Sequence, residues 1–283
     1  MPMPGLRISL GLSLAALLAL APLADARRQR GDERNAFVSY YTPDYLAFKT
    51  RIMAEFSKAR AGKFSEFLKR ARKGEKGHEQ KVLALTFDAC GGRHSGYNKE
   101  LIDYLRKEQI PATLFVTGIW IEKNKETFAE LAKDPLFEIE NHGLMHRLCS
   151  TEGRTKYGVH GTRDLGDVID EMELGARKIA ELTGRRPVFF RSATAYTDEL
   201  SLKVAGRLGM EVVSYDVLSG DAMRQGAKKM SRNILGGARH GAVVIMHFNH
   251  PEWPVTKALE LAVPELRKRG FNFGKLEDFT VKP

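Results

Sequence analysis

Val82-Leu83-Ala84-Leu85-Thr86-Phe87-Asp88 is an apolar run closed by a carboxylate. A strand with almost no polar alternation is buried on both faces, so this one belongs in a parallel sheet covered by helices, with Asp88 at the mouth rather than in the core. Further short apolar runs follow near 112–117, 136–140, 187–191, 211–216, 242–247 and 271–275, separated by amphipathic helical stretches near 98–108, 121–133, 164–183, 198–208, 224–235 and 255–269. Seven strands alternating with helices in about 200 residues predict an α/β barrel, closed or nearly so, at the small end of the barrel size range. An open doubly wound sheet is the structural alternative. In both, ligands bind at the carboxyl ends of the strands.

Upstream of this pattern, residues 27–80 read as a basic linker and an amphipathic helical extension. Thr42 can cap a helix whose first residue is Pro43, and Tyr45, Phe48, Ile52, Phe56 and Ala59 recur at helical spacing, a stripe suited to packing on the barrel's outside. Ahead of it, Arg7, an apolar run from Ile8 to Leu23 and Ala24-Asp25-Ala26 form a signal-peptide pattern over residues 1–26. The run is broken by Gly11, Ser13 and Pro22 and is shorter than the ~20 residues of a bilayer span, so no stable membrane span is expected after cleavage. Export to the periplasm or the extracellular space follows.

The net charge of +10 is unevenly placed, because residues 27–81 carry fifteen Lys/Arg against seven Asp/Glu while residues 82–283 carry 29 against 27. An exported chain seldom meets nucleic acid and nothing here resembles a nucleic-acid module, so that partner is not expected. Anionic wall polymers or lipid headgroups suit the basic segment, and so does a merely solvated helix face. The oligomeric state is not legible.

Four groups of candidate residues fall at strand ends. Asp88 can act as a base or cap the next helix. His142 and His146, four apart in Asn141-His142-Gly143-Leu144-Met145-His146, can reach one side of a helical turn and hold a transition metal, for which neutral imidazole suits zinc; solvated pairs of the same spacing are also common. Arg191 can orient Asp88 and keep it ionised, or form a surface ion pair. His247 titrates where a general acid must, although a lone histidine is often only structural.

Taken together and in this order, these residues resemble the polysaccharide deacetylase family over roughly residues 80–280. The resemblance implies a distorted seven-stranded α/β barrel and metal-dependent removal of N-acetyl groups from amino sugars, with peptidoglycan or another N-acetylated polysaccharide as substrate and zinc as the expected ion. It places Asp88 as catalytic base, Arg191 as its tether, His142 and His146 as metal ligands, Asp221 as orienter of the acid His247, and a backbone N–H near Thr194 as oxyanion donor. The barrel domain would then span 81–283.

Three positions depart from the family pattern: Ala89 stands where the metal-binding aspartate belongs, Ala193-Thr194 replaces Pro-Tyr, and Ala222 replaces a tryptophan. Two imidazoles leave half a tetrahedral shell to water, so Asp88 is expected to ligate the metal as well. The acetyl groove is expected to be wider, or lined by Tyr196 or Phe248. Cys90 and Cys149 lie two residues after Asp88 and three after His146; a disulfide between them is expected for an exported protein, with a thiolate ligand in place of the lost aspartate, or two unpaired thiols, as alternatives. A non-catalytic glycan-binding protein and a metal-dependent amidase or esterase of small molecules are the competing functions.

Overall fold

The structure, a computed structural model, is described over residues 35–66, 81–92 and 95–279. The expected signal peptide and basic linker lie outside these residues. The chain divides at Thr42 into two units. In the first, a 3₁₀ turn, Val38–Tyr40, is described. The second, from Pro43 onward, holds everything discussed below.

Eight strands form one sheet: β1 (Lys81–Ala89), β2 (Ala112–Val116), β3 (Phe137–Asn141), β4 (Phe189–Phe190), β5 (Glu211–Val212), β6 (Val217–Leu218), β7 (Ala242–His247) and β8 (Phe271–Gly274). The path runs β6-β7-β1-β2-β3-β4-β5, with β8 also paired to the start of β1, and every pairing is parallel. The sheet curls into the expected barrel. It is open at one seam, since β5 and β6 end the path on opposite sides. Of the run expected as one strand over 211–216, only Glu211–Val212 is strand, and a second short strand follows at Val217–Leu218: Val213 N–H still donates to Phe190 O at 2.8 Å, whereas Asp216 N–H donates to Val243 O at 2.9 Å, so residues 213–216 bridge the seam.

Helices α1 (Pro43–Glu55), α2 (Lys99–Lys107), α3 (Gly118–Lys123), α4 (Lys125–Leu131), α5 (Leu165–Ile169, the π-helical segment Asp170–Leu174 and Gly175–Thr183), α6 (Glu199–Arg207), α7 (Ala227–Gly237) and α8 (Val255–Lys268) complete the unit. The stretch expected as one helix near 121–133 is interrupted at Asn124, which closes α3 and opens α4. Helix α1 begins at Pro43, as its sequence predicts. It packs through Ile52, Phe48 and Phe56 on a cluster containing Val168, Ile169 and Leu200, and Lys49 pairs with Asp170 at 2.7 Å.

Strand alternation sorts the core into two layers. Leu83, Leu85, Phe87 and Ala89 of β1 join the large apolar cluster shared with α2 and α8, while Ala84 belongs to a separate cluster with Phe115, Phe189, Val213, Val243 and Leu276 that fills the barrel. By the same period Thr86 and Asp88 share the face of Ala84. On β3, Phe137 and Ile139 take the outer cluster, leaving Glu138 and Glu140 on the opposite face, both buried.

Glu140 has an unusual titration there. Burial, reinforced by the charge of Glu138, pushes its carboxyl up to about 8 against the N–H groups of Phe189 and Val188 and the charge of Arg185. Because the native state then binds a proton that the unfolded chain releases near pH ~4.3, stability falls as pH rises from there to about 8. Thermal unfolding of Glu140→Gln followed across that window is expected to show a flatter pH dependence than the parent, and parallel curves would refute the assignment.

Candidate active site

The carboxyl ends of β1, β3, β4 and β7 bring their candidate residues to one level. Asp88 is level with His247 on β7 and with Phe115 on β2, and Asn141 is level with Phe190, so the next residues, His142 and Arg191, leave the sheet together.

Asp88 is held by Arg191, whose Nη1 donates to Asp88 Oδ1 at 2.7 Å and to Thr86 Oγ1 at 2.9 Å. Its Nη2 donates to Ser214 O at 3.1 Å, and the guanidinium lies 4.2 Å over the Phe115 ring. Both members of this pair are buried. In such a setting the charges depend on each other, since either alone would face a large desolvation cost.

His142 Nδ1 lies 2.8 Å from Arg191 O. A carbonyl only accepts, so Nδ1 carries the proton and the lone pair of Nε2 faces the cleft, the tautomer a metal ligand needs. Around Nε2 stand Cys90 Sγ at 3.7 Å and Asp88 Oδ2 at 3.7 Å. Among the described residues, donor atoms of Cys90, His142 and His146 lie within 4.8 Å of one another, a set that could hold a metal ion. Asp88, expected as a ligand, stands beside this set rather than in it.

The histidines are not on a helix. His146 occupies a turn at φ 56°, held by buried Glu171, which accepts the N–H of Met145 at 3.1 Å and that of Arg147 at 2.9 Å. Gly143, at φ 93°, is required there, because a Cβ would come within 2.3 Å of Glu171 Oε1. Glu171 sits on the π-helical segment of α5, far away in sequence.

Asp221 accepts from Ser219 Oγ at 2.9 Å and from Ala222 N–H at 2.8 Å through Oδ1, and from His247 N–H at 2.6 Å through Oδ2. His247 Nδ1 lies 3.1 Å from the same Oδ2, which leaves Nε2 for a second partner. Burial works against a charged imidazole here, but Asp221 and Cys90 more than offset it and raise His247 well above its ordinary range.

The cysteines are not paired. Both are free thiols: Cys90 faces the histidines, and Cys149 is buried in the cluster of Ile52, Val168 and Phe190. Strand period explains the outcome, because Cys90 follows Asp88 by two and shares its inward face. Phe248, expected as a groove residue, packs instead against Trp120 in the core at 5.1 Å. Tyr196 does line the surface, 5.3 Å from the Phe64 ring and 5.9 Å from the exposed Tyr157, with Lys156 Nζ 4.9 Å over both tyrosines. Beside it, Thr194 and Ala195 are both at positive φ, 58° and 59°. Trp253, six residues past His247, sets its ring edge-on to that histidine at 5.5 Å. It supplies an aromatic wall beside His247, while Ala222 occupies the position of the missing tryptophan.

The fold and this site define an α/β barrel protein with an acid–base cluster and a candidate metal centre at its strand ends. Residues 75–213 match the profile of the polysaccharide deacetylase family, which supports membership of that family. The peptidoglycan-N-acetylglucosamine deacetylase of Bacillus cereus is 26% identical over 199 residues, 69% of this chain and 86% of that protein. The peptidoglycan-N-acetylmuramic acid deacetylase PdaA of Bacillus subtilis is 26% identical over 204 residues, 71% of this chain and 72% of that protein; its structure superposes with a TM-score of 0.61 at 21% identity, covering 81% and 87% of the two chains. A pseudoenzyme of carbohydrate esterase family 4 from Bacillus anthracis superposes at 0.59 with 21% identity, covering 71% and 66%. At these identities the structural likeness establishes the fold.

Proposed function

We propose that the protein is a hydrolase that removes N-acetyl groups from amino sugars of peptidoglycan after export. The observation that carries this reading is the pairing of Asp88 with His247 across adjacent strands, each held by its own buried partner, Arg191 and Asp221. A glycan-binding surface has no use for two proton-transfer groups so placed.

The donor set of imidazoles and thiol suits a borderline-soft divalent ion such as zinc, held by His142 and His146 with Cys90 or Asp88 beside them. When bound, such an ion supplies Lewis-acid polarisation of the acetamide carbonyl and favours deprotonation of water. Asp88 accepts the proton of the attacking water on Oδ2, the oxygen not engaged by Arg191. Arg191 holds that carboxylate aimed through Oδ1. His247, fixed through Nδ1 by Asp221, delivers a proton from Nε2 to the departing amine, without which an amide does not expel its nitrogen. The backbone N–H of Thr194 is assigned to the developing oxyanion. Tyr157, Tyr196 and Lys156 offer a sugar ring aromatic faces beside a cation, which suits an anionic glycan.

The Bacillus cereus and Bacillus subtilis relatives named above are deacetylases of peptidoglycan N-acetylglucosamine and N-acetylmuramic acid, which is why that polymer is placed first. No helix among the described residues is long and apolar enough to cross a membrane. The competing non-catalytic reading rests on Ala89 and Ala222 and on the pseudoenzyme likeness. Acetate release from purified peptidoglycan decides between them: release that a chelator abolishes, zinc restores and Asp88→Asn eliminates is the expected result. Binding of the glycan with no acetate released from any N-acetylated polymer would establish the non-catalytic reading, and release from small amides alone would move the substrate class.

A further inference from the structure

We infer that Cys90 is the third protein ligand of the metal site, a thiolate standing in for the carboxylate that Ala89 lacks. The inference rests on the metal-dependent reading above, and it explains how a chain without that carboxylate keeps three protein donors.

Ala89 itself offers no free donor. Ala89 is the last residue of β1, its side chain lies in the apolar layer between sheet and helices, and its carbonyl is taken by the Thr117 N–H at 3.2 Å and the Thr117 hydroxyl at 3.1 Å. Cys90 is the next residue whose side chain faces inward. The chain then turns through Gly91 and Gly92 at φ 74° and 106°. A Cβ on Gly91 would lie 2.3 Å from Ile119 Cγ1, so the close packing of this turn against α3 fixes where Cys90 points.

The separation of Cys90 and His142 is that of two ligands of a tetrahedral site. Ligand bonds of about 2.3 Å to sulfur and about 2.05 Å to nitrogen at the tetrahedral angle set sulfur and nitrogen about 3.6 Å apart. Cys90 Sγ lies 3.7 Å from His142 Nε2, and the three donors are mutually within 4.8 Å. His142 presents a lone pair rather than a proton in this direction, because its Nδ1–H is committed to Arg191 O. With Cys90, His142 and His146 supplying three donors, the fourth position is open and Asp88 is released from the ligand role. Thiolate also shifts preference toward zinc and cobalt(II) and away from magnesium or calcium.

Cobalt(II) is the probe, applied to the purified mature protein after chelation and reloading. The expected spectrum has a near-ultraviolet thiolate-to-cobalt charge-transfer band at one cobalt per chain, unchanged in Cys149→Ala and absent in Cys90→Ser. Zinc affinity is expected to fall on the order of 100-fold or more in Cys90→Ser. Should that variant fold poorly, alkylation of the parent answers the same question: zinc protects one thiol, identified as Cys90 by peptide mapping, and chelation exposes it. Stoichiometric cobalt without the band, or equal labelling of Cys90 with and without zinc, overturns the ligand assignment while leaving deacetylation to the acetate assay.

Discussion

Replacing His247 by alanine is expected to slow acetate release by about 10²–10⁴-fold while leaving bound zinc unchanged. A buried carboxylate, Asp221, fixes Nδ1 of this imidazole and leaves Nε2 to carry the transferable proton. Losing the imidazole removes the proton that makes the amine a leaving group, while Cys90, His142 and His146 remain as donors. Single-turnover kinetics on a soluble N-acetylglucosamine oligomer, with metal analysis of the same sample, would check both halves. Parent-like turnover would remove His247 from the mechanism. Lost metal would show instead that the histidine ligates.

Arg191→Met is expected to act on folding as much as on chemistry. It leaves the buried Asp88 carboxylate without its charge partner and frees Ser214 O and Thr86 Oγ1 from their shared donor. Breaking a buried pair on one side costs roughly 3–5 kcal/mol. Denaturant unfolding should report a loss of that size, and the double variant Arg191→Met/Asp88→Asn should recover part of it because the orphaned charge is gone. A single variant as stable as the parent would mean that Asp88 is neutral or solvated in the native state, which would also disqualify it as a base held ionised.

Much of the site is legible in local sequence because barrels place function at strand ends. The run ending in Asp88, the Phe189-Phe190 pair before Arg191 and the run ending in His247 each announce a terminus by a change from apolar to polar, and all three residues converge in the structure. The histidine pair was legible as a pair but not in its setting: its spacing suggests a helical turn, whereas Gly143 and His146 at positive φ build a loop instead. Glu171, which holds that loop, carries no local signal, since a glutamate in an amphipathic helix ordinarily reads as solvated. Trp253 and the open seam between β5 and β6 were equally silent, as both depend on contacts between segments whose separation no local pattern encodes.

The cysteines show where the boundary lies. From the order of residues alone came the alternation of strands and helices, Asp88 at the mouth of its strand, and a thiol close to a carboxylate, because strand ends are marked by local changes of polarity. Which partner that thiol meets was settled only by folding. Cys149 lies three residues from His146 and Cys90 two from Asp88, yet one sulfur is buried among Ile52, Val168 and Phe190 and the other faces two imidazoles. Pairing depends on distances across the barrel mouth, and those are set by how β1, β3 and α5 pack rather than by any spacing along the chain.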